Sequence, residues 1–352
     1  MNDKKTTYRE HTDMENTLKL RQVLATLPPF CRDYFRAIDT TTTAKTRISY
    51  AYDIRIFFQF LLDENPAFKD YSMTDFTVDV LDQIKAVDLE EYQEYLKLYQ
   101  SGDKTETNGE RGLKRKVSAL RSFYAYYYKR EMIQTNPTVL IDVPKIHEKS
   151  IIRLDTDEVA MLLDYIEHCG DTLTGQKRVF YEKTKERDLA IVTLLLGTGI
   201  RVSECVGLDI EDVDFKNNGI KVTRKGGNEM VVYFGPEVEK ALRRYLEVRE
   251  GITPLAGHEH ALFYSAQRKR IGVQAVENMV KKYSRQITTT KKITPHKLRS
   301  TYGTALYQET GDIYLVADVL GHKDVNTTKK HYAALDDARR RQAATAVKLR
   351  EE

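Results

Sequence analysis

At 352 residues the chain is long enough for two domains, each with its own core. Charged residues make up 31% and hydrophobic ones 41%, the balance of an ordinary soluble globular protein. A net charge of +4 permits a nucleic-acid partner without establishing one, so the distribution of charge has to decide.

Cys31, Cys169 and Cys205 are odd in number, far apart and without C-x-x-C spacing. That argues against a disulfide framework or a zinc site and for a reducing cytosol. His258 and His260 have no companion ligands, so no metal is expected. No apolar run reaches the length of a membrane span, and MNDKKTTYRE has no signal-peptide core. A cytoplasmic protein is expected.

Residues 1–27 read as a polar, Thr-rich extension with a loose tip and a helix docking onto the adjoining domain. From 28 to 143 the periodicity is helical throughout, with no strand signal. Tyr50, Ile54, Phe57, Phe58 and Leu61 form one stripe, and Leu89, Tyr92, Tyr95 and Leu96 another within DLEEYQEYLKLYQ. Asn108 to Arg130 puts Leu113, Val117, Leu120, Phe123, Tyr124 and Tyr127 on one side; Lys114, Arg115, Lys116 and Arg121 lie elsewhere. This region reads as a small helical bundle. Residues 144–152, short, polar and marked by Pro144, read as a linker.

The second domain spans 153–335. Asp155 and Glu158 form a capping box for a helix reaching about His168. Leu189 to Leu196 is a buried helix ended by Gly197 and Gly199, and Arg201 opens the next helix with Glu204 three residues on. Val213–Phe215, Ile220–Arg224 and Glu229–Phe234 alternate, with Asn217-Asn218-Gly219 and Lys225-Gly226-Gly227-Asn228 as turns: a three-stranded antiparallel sheet. Helices resume over Pro236–Arg249 and Val273–Arg285, and residues 336–352 form a last polar helix with a thin apolar stripe. The class is mainly α with a small antiparallel β-sheet.

Pro295 to Tyr332 holds the chemistry. His296 and Arg299 sit one helical turn apart; Leu320-Gly321-His322 breaks a helix and presents a second His; Tyr332 lies ten residues on. Arg neutralises a tetrahedral phosphate with a fork of donors, His exchanges a proton near neutral pH, and Tyr can form a covalent intermediate.

PHKLR, LGH and the downstream Tyr resemble the second box of the tyrosine recombinases, the lambda-integrase/Xer family, and G-x-G-I-R the first. R-G-L-K-R-K-V-S-A-L-R-S-F-Y is similar to a run of the family's SAM-like core-binding domain. The likeness covers nearly the whole chain and is strongest to single-protein, XerS-like Xer enzymes. It implies a two-domain C-shaped clamp, a core-binding domain followed by a catalytic one. It assigns Arg201, Lys225, His296, Arg299, His322 and the nucleophile Tyr332 to catalysis, with Glu204 in support. It places Lys114, Arg115, Lys116, Arg121 and Arg224 on the DNA. The implied partners are double-stranded DNA with paired inverted half-sites and a homotetramer joined by exchange of the C-terminal helix, with no cofactor and no metal. Two departures stand out: the His322–Tyr332 interval is one residue longer than usual, leaving His331 at the commoner spacing, and Ser300 follows Arg299 where relatives often have His. Type IB topoisomerases use the same residue set, and an inactive DNA-binding protein is the other alternative; the separate helical domain and the wording of the boxes favour a recombinase.

Overall fold

The computed structural model describes residues 7–147, 151–224, 227–322 and 324–326. The chain divides into two compact units, 1–148 and 149–352.

The first unit opens with α1 (Tyr8–Leu24), held at its start by a capping box between Thr7 and Glu10. α2 (Cys31–Ala37), α3 (Ala44–Glu64), α4 (Val80–Gln83) and α5 (Ala86–Tyr95) come next. Leu20 and Val23 of α1, with Leu27 just after it, are buried in the same core as α3. The helical periodicity also overran at one place. The chain leaves helix after Tyr95 and makes a hairpin of β1 (Leu98–Ser101) and β2 (Lys104–Thr107), paired from Leu98↔Thr107 to Ser101↔Lys104. Ser101 to Thr107 are exposed, so no apolar alternation marked these strands. Gly102-Asp103, a two-residue hairpin turn, was the available signal.

α6 (Glu110–Lys129) then lays Leu113, Val117, Leu120, Phe123, Tyr124 and Tyr127 into the core. Edge-on aromatic pairs dominate there, such as Phe57 with Tyr92 and Phe123 with Tyr127. The buried phenols are satisfied: Tyr127 Oη donates to the Phe30 carbonyl at 2.8 Å and Tyr34 Oη to Ser122 Oγ at 2.9 Å.

The second unit begins with α7 (Thr156–His168), whose N-terminus carries the expected Asp155–Glu158 capping box. α8 (Gly175–Thr198) is the central helix, and it starts well before the apolar run by which the sequence marked it. Its Leu189–Leu195 run is buried on all sides, and α7, α10 (Pro236–Glu250) and α12 (Pro295–Thr310) pack around it. Between α8 and α10 come α9 (Val202–Gly207) and three strands, β3 (Val213–Asp214), β4 (Gly219–Thr223) and β5 (Glu229–Tyr233). They form an antiparallel sheet in the order β3-β4-β5, with Val213 opposite Ile220 and Ile220 opposite Val232. α11 (Val273–Ile287) and α13 (Ile313–Leu320) complete the unit. Among the described residues no helix is long and apolar enough to cross a membrane.

Candidate active site

α13 decides where the site lies. Gly321 ends this helix with φ +60, a left-handed backbone that a side chain resists. The Gly321 N–H donates to the Asp318 carbonyl at 2.8 Å and the His322 N–H to Ala317 at 2.9 Å, a Schellman closure. The next three carbonyls, of Val319, Leu320 and Gly321, have no partner within the helix. Three arginines from three other segments supply one. Arg224 Nη2 donates to Val319 O at 2.7 Å, Arg299 Nη2 donates to Leu320 O, and Arg201 Nη2 donates to Gly321 O at 3.3 Å. A helix C-terminus carries partial negative charge, so cations are drawn to it. The sequence motif H-x-x-R and the LGH turn thus meet at one point through their arginines and carbonyls.

Arg201 caps α9. Its backbone N–H and its Nη1 both donate to the Glu204 carboxylate, each at 2.8 Å. Glu204 is buried, whereas the Arg201 side chain keeps 35% of its surface. Arg299 is almost completely buried and also donates through Nη1 to the Gly199 carbonyl. Gly199 has φ +63, and a Cβ there would fall 2.4 Å from the Tyr302 ring and 2.9 Å from Leu320. Only glycine lets the α8–α9 turn approach α12 and α13 so closely. His296 lies in the first turn of α12 and is exposed, and His322, next after Gly321, is half-buried. Lys225, Tyr332, His331 and residues 336–352 lie outside the described residues.

The five residues assigned to DNA contact divide. Lys114 is exposed, and Arg115 keeps 47% of its side chain exposed while pairing with Asp53 of α3. Lys116 and Arg224 are buried, and Arg121 is half-buried. Lys116 is 7% exposed because it falls in register with Leu113 and Leu120 on the core face, and its Nζ donates to Asn108 at 3.0 Å. Arg121 clamps the chain after α6, donating to the carbonyls of Thr138 at 3.0 Å and Ile141 at 2.7 Å. Arg224 is 8% exposed, because strand alternation puts it on the inward face with Ile220 and Val222. Burial pulls its guanidinium below the ordinary arginine range and Arg201 adds to this, against the opposing carboxylates of Glu204 and Asp318. The same alternation, continued one residue beyond β4, is the sequence signal that marks Arg224 as part of the site.

Among the described residues no cluster of His, Cys, Asp and Glu could hold a metal ion. The arrangement is a concentration of guanidinium groups with one buried carboxylate, fixed by helix ends, and suits a tetrahedral oxyanion.

Residues 152–339 match the profile described as the Phage integrase family. The chain is 32% identical over 338 residues to the tyrosine recombinase XerC of Caldanaerobacter subterraneus subsp. tengcongensis, covering 92% of this chain and 88% of the relative. It is equally similar, 32% over 341 residues, to the tyrosine recombinase XerS of Lactococcus lactis subsp. cremoris, covering 90% and 93%. Among solved structures it resembles the XerH site-specific recombinase bound to palindromic difH substrate, with a TM-score of 0.63, 21% identity and coverage of 87% and 80%. A lambda integrase dimer bound to a core site gives a TM-score of 0.61 at 16% identity, with coverage of 86% and 93%. The structural likenesses establish the fold, and the sequence matches establish the kinship: the chain belongs to the phage integrase family and is a tyrosine recombinase.

Proposed function

We propose that this recombinase cuts and rejoins DNA at specific sites by passing a strand end to Tyr332 and back. The observation that carries the reading is the convergence of Arg201 and Arg299 on the last turn of α13, beside His322. Fixed positive charge of this kind stabilises a phosphodiester most when its charge grows in the transition state. Arg201 and Arg299 hold the two non-bridging oxygens, and His322 adds a hydrogen bond.

The Tyr332 oxygen attacks phosphorus, the bond to the 5′-oxygen breaks, and a 3′-phosphotyrosyl link is left. A phenol ordinarily titrates at about 10, so His296 takes its proton as the bond forms. Lys225 gives a proton to the departing 5′-oxygen. A 5′-hydroxyl of the partner strand then reverses the steps, so the linkage energy is kept and neither ATP nor a metal is required.

Exchange between two duplexes needs four such sites, hence a homotetramer on paired inverted half-sites, with residues 336–352 exchanged between neighbours. Lys114 and Arg115 contact phosphates from the first unit. Similarity to proteins named XerC and XerS, over 92% and 90% of this chain, supports chromosome-dimer resolution; mobile-element integration or excision uses the same chemistry. Mapping covalent capture across the host genome distinguishes them, as one chromosomal site or the ends of an element.

A nicked suicide duplex tests the chemistry. Wild type is expected to accumulate a covalent adduct and Tyr332→Phe none. Absence of an adduct with wild type would sink the reading. Plasmid relaxation without recombination between paired sites would favour a type IB topoisomerase.

A further inference from the structure

Arg224 closes the base of the β4–β5 hairpin: its N–H donates to Asn228 O at 2.8 Å and its carbonyl accepts from Gly227 N–H at 3.0 Å. Its side chain then leaves the hairpin for α13, donating to Val319 O at 2.7 Å. It passes so near Gly321 that a Cβ there would fall 1.6 Å from Nη1. Nε and Nη1 are buried with no hydrogen-bond partner among the described residues. Burying a cation costs desolvation, and the side-chain hydrogen bond that this guanidinium makes among the described residues runs to another element. Its burial turns it away from solvent. What its guanidinium does accomplish is to fix the hairpin against the helix turn that Arg201 and Arg299 also hold.

We propose that Arg224 is a positioning residue: it pins the β4–β5 hairpin to the C-terminal turn of α13, so that the next residue, Lys225, meets the leaving 5′-oxygen while Arg201 and Arg299 hold the phosphate. This rests on the reading of Lys225 as the general acid. Consecutive Cα atoms are about 3.8 Å apart, so the anchor at Arg224 is one residue from the Lys225 backbone. An error of about 1 Å in placing a reacting group can slow a reaction about 100-fold.

The test compares wild type, Arg224→Met, Arg224→Lys and Lys225→Ala on nicked suicide duplexes whose scissile 5′-bridging atom is either oxygen or sulfur. A thiolate departs without a proton, so the sulfur duplex makes the acid dispensable. On the oxygen duplex, Lys225→Ala and Arg224→Met are expected to cleave about 100-fold or more slowly than wild type. On the sulfur duplex both recover most of that loss, and Arg224→Lys falls between. Duplex affinity and its salt dependence stay at the wild-type level. If Lys225→Ala is not rescued by sulfur, its assignment as the acid fails and the basis of the inference goes with it. If Lys225→Ala is rescued and Arg224→Met is not, Arg224 does not act through Lys225. Unimpaired cleavage by Arg224→Met overturns the inference too, as does weaker binding with a shallower salt slope, which marks a phosphate contact. A thermal melt accompanies each variant, and Arg224→Lys carries the comparison should Arg224→Met not fold.

Discussion

Glu204 grips Arg201 at two points, so it sets both the backbone turn and the direction of the guanidinium. Replacing it with glutamine keeps the size and removes the charge that makes these bonds strong. Glu204→Gln is expected to slow single-turnover cleavage about 10- to 100-fold, the equivalent of one charge-assisted hydrogen bond, with duplex affinity nearly unchanged. Wild-type cleavage would remove Glu204 from the supporting role. Gly199 acts by lacking atoms. Gly199→Ala meets both the left-handed backbone and the Tyr302 ring, and should lower stability by about 2–4 kcal/mol in denaturant melts. The Gly-x-Gly turn was legible in the sequence. That its carbonyl holds Arg299, a residue 100 positions downstream, was not.

At the scale of elements, α3 and α6 are joined by a charge cluster, buried Asp53 with buried Lys116 and exposed Arg115. Burial raises the Asp53 carboxyl above the ordinary carboxylate value, against the pull of Arg115 and Lys116. Burial likewise lowers the Lys116 ammonium, against Asp53. The folded state therefore binds the Asp53 proton more tightly than the unfolded chain. Its contribution to stability falls as pH rises from the ordinary carboxylate value through the raised one, then stays level. Lys116 runs oppositely, and stability is regained as pH climbs from its lowered value to the ordinary lysine value. Asp53→Asn strands the buried ammonium and is expected to lose about 3–5 kcal/mol near pH 7 by urea unfolding. The double variant Asp53→Leu with Lys116→Met removes both costs and should lie within about 1 kcal/mol of wild type, since apolar replacement of a buried pair is often neutral. A double variant as unstable as Asp53→Asn would mean the cluster holds the helices together by attraction. Lys116 belongs to a basic face only when charge is read before register; three residues from Leu113, it lies on the core side.

The whole molecule consists of two units, and the first buries a continuous core from Leu20 to Ile141. A fragment of residues 1–147 is accordingly expected to fold alone, with a single cooperative thermal transition by circular dichroism. A broad, non-cooperative melt would show that its core depends on the rest of the chain. Cys31, Cys169 and Cys205 are all buried, and burial raises each thiol, that of Cys205 to about 12. The native protein should therefore resist thiol-disulfide reagents at neutral pH and show three reactive groups only when unfolded.

By itself the sequence determined the helical class, the three-stranded sheet, the capping box at Asp155 and the kinship with the tyrosine recombinases. Each is written in local period, turn chemistry or a short motif, where a few neighbouring residues carry the whole signal. Tertiary structure alone decided the exposed β1–β2 hairpin, the burial of Lys116 and Arg224 and the hold of Arg121 on the carbonyls beyond α6. It also decided that Arg201, Arg224 and Arg299 share the last carbonyls of α13. A helix end offers its unpaired carbonyls to whichever donors the fold brings near, and that choice is made between segments far apart in the chain.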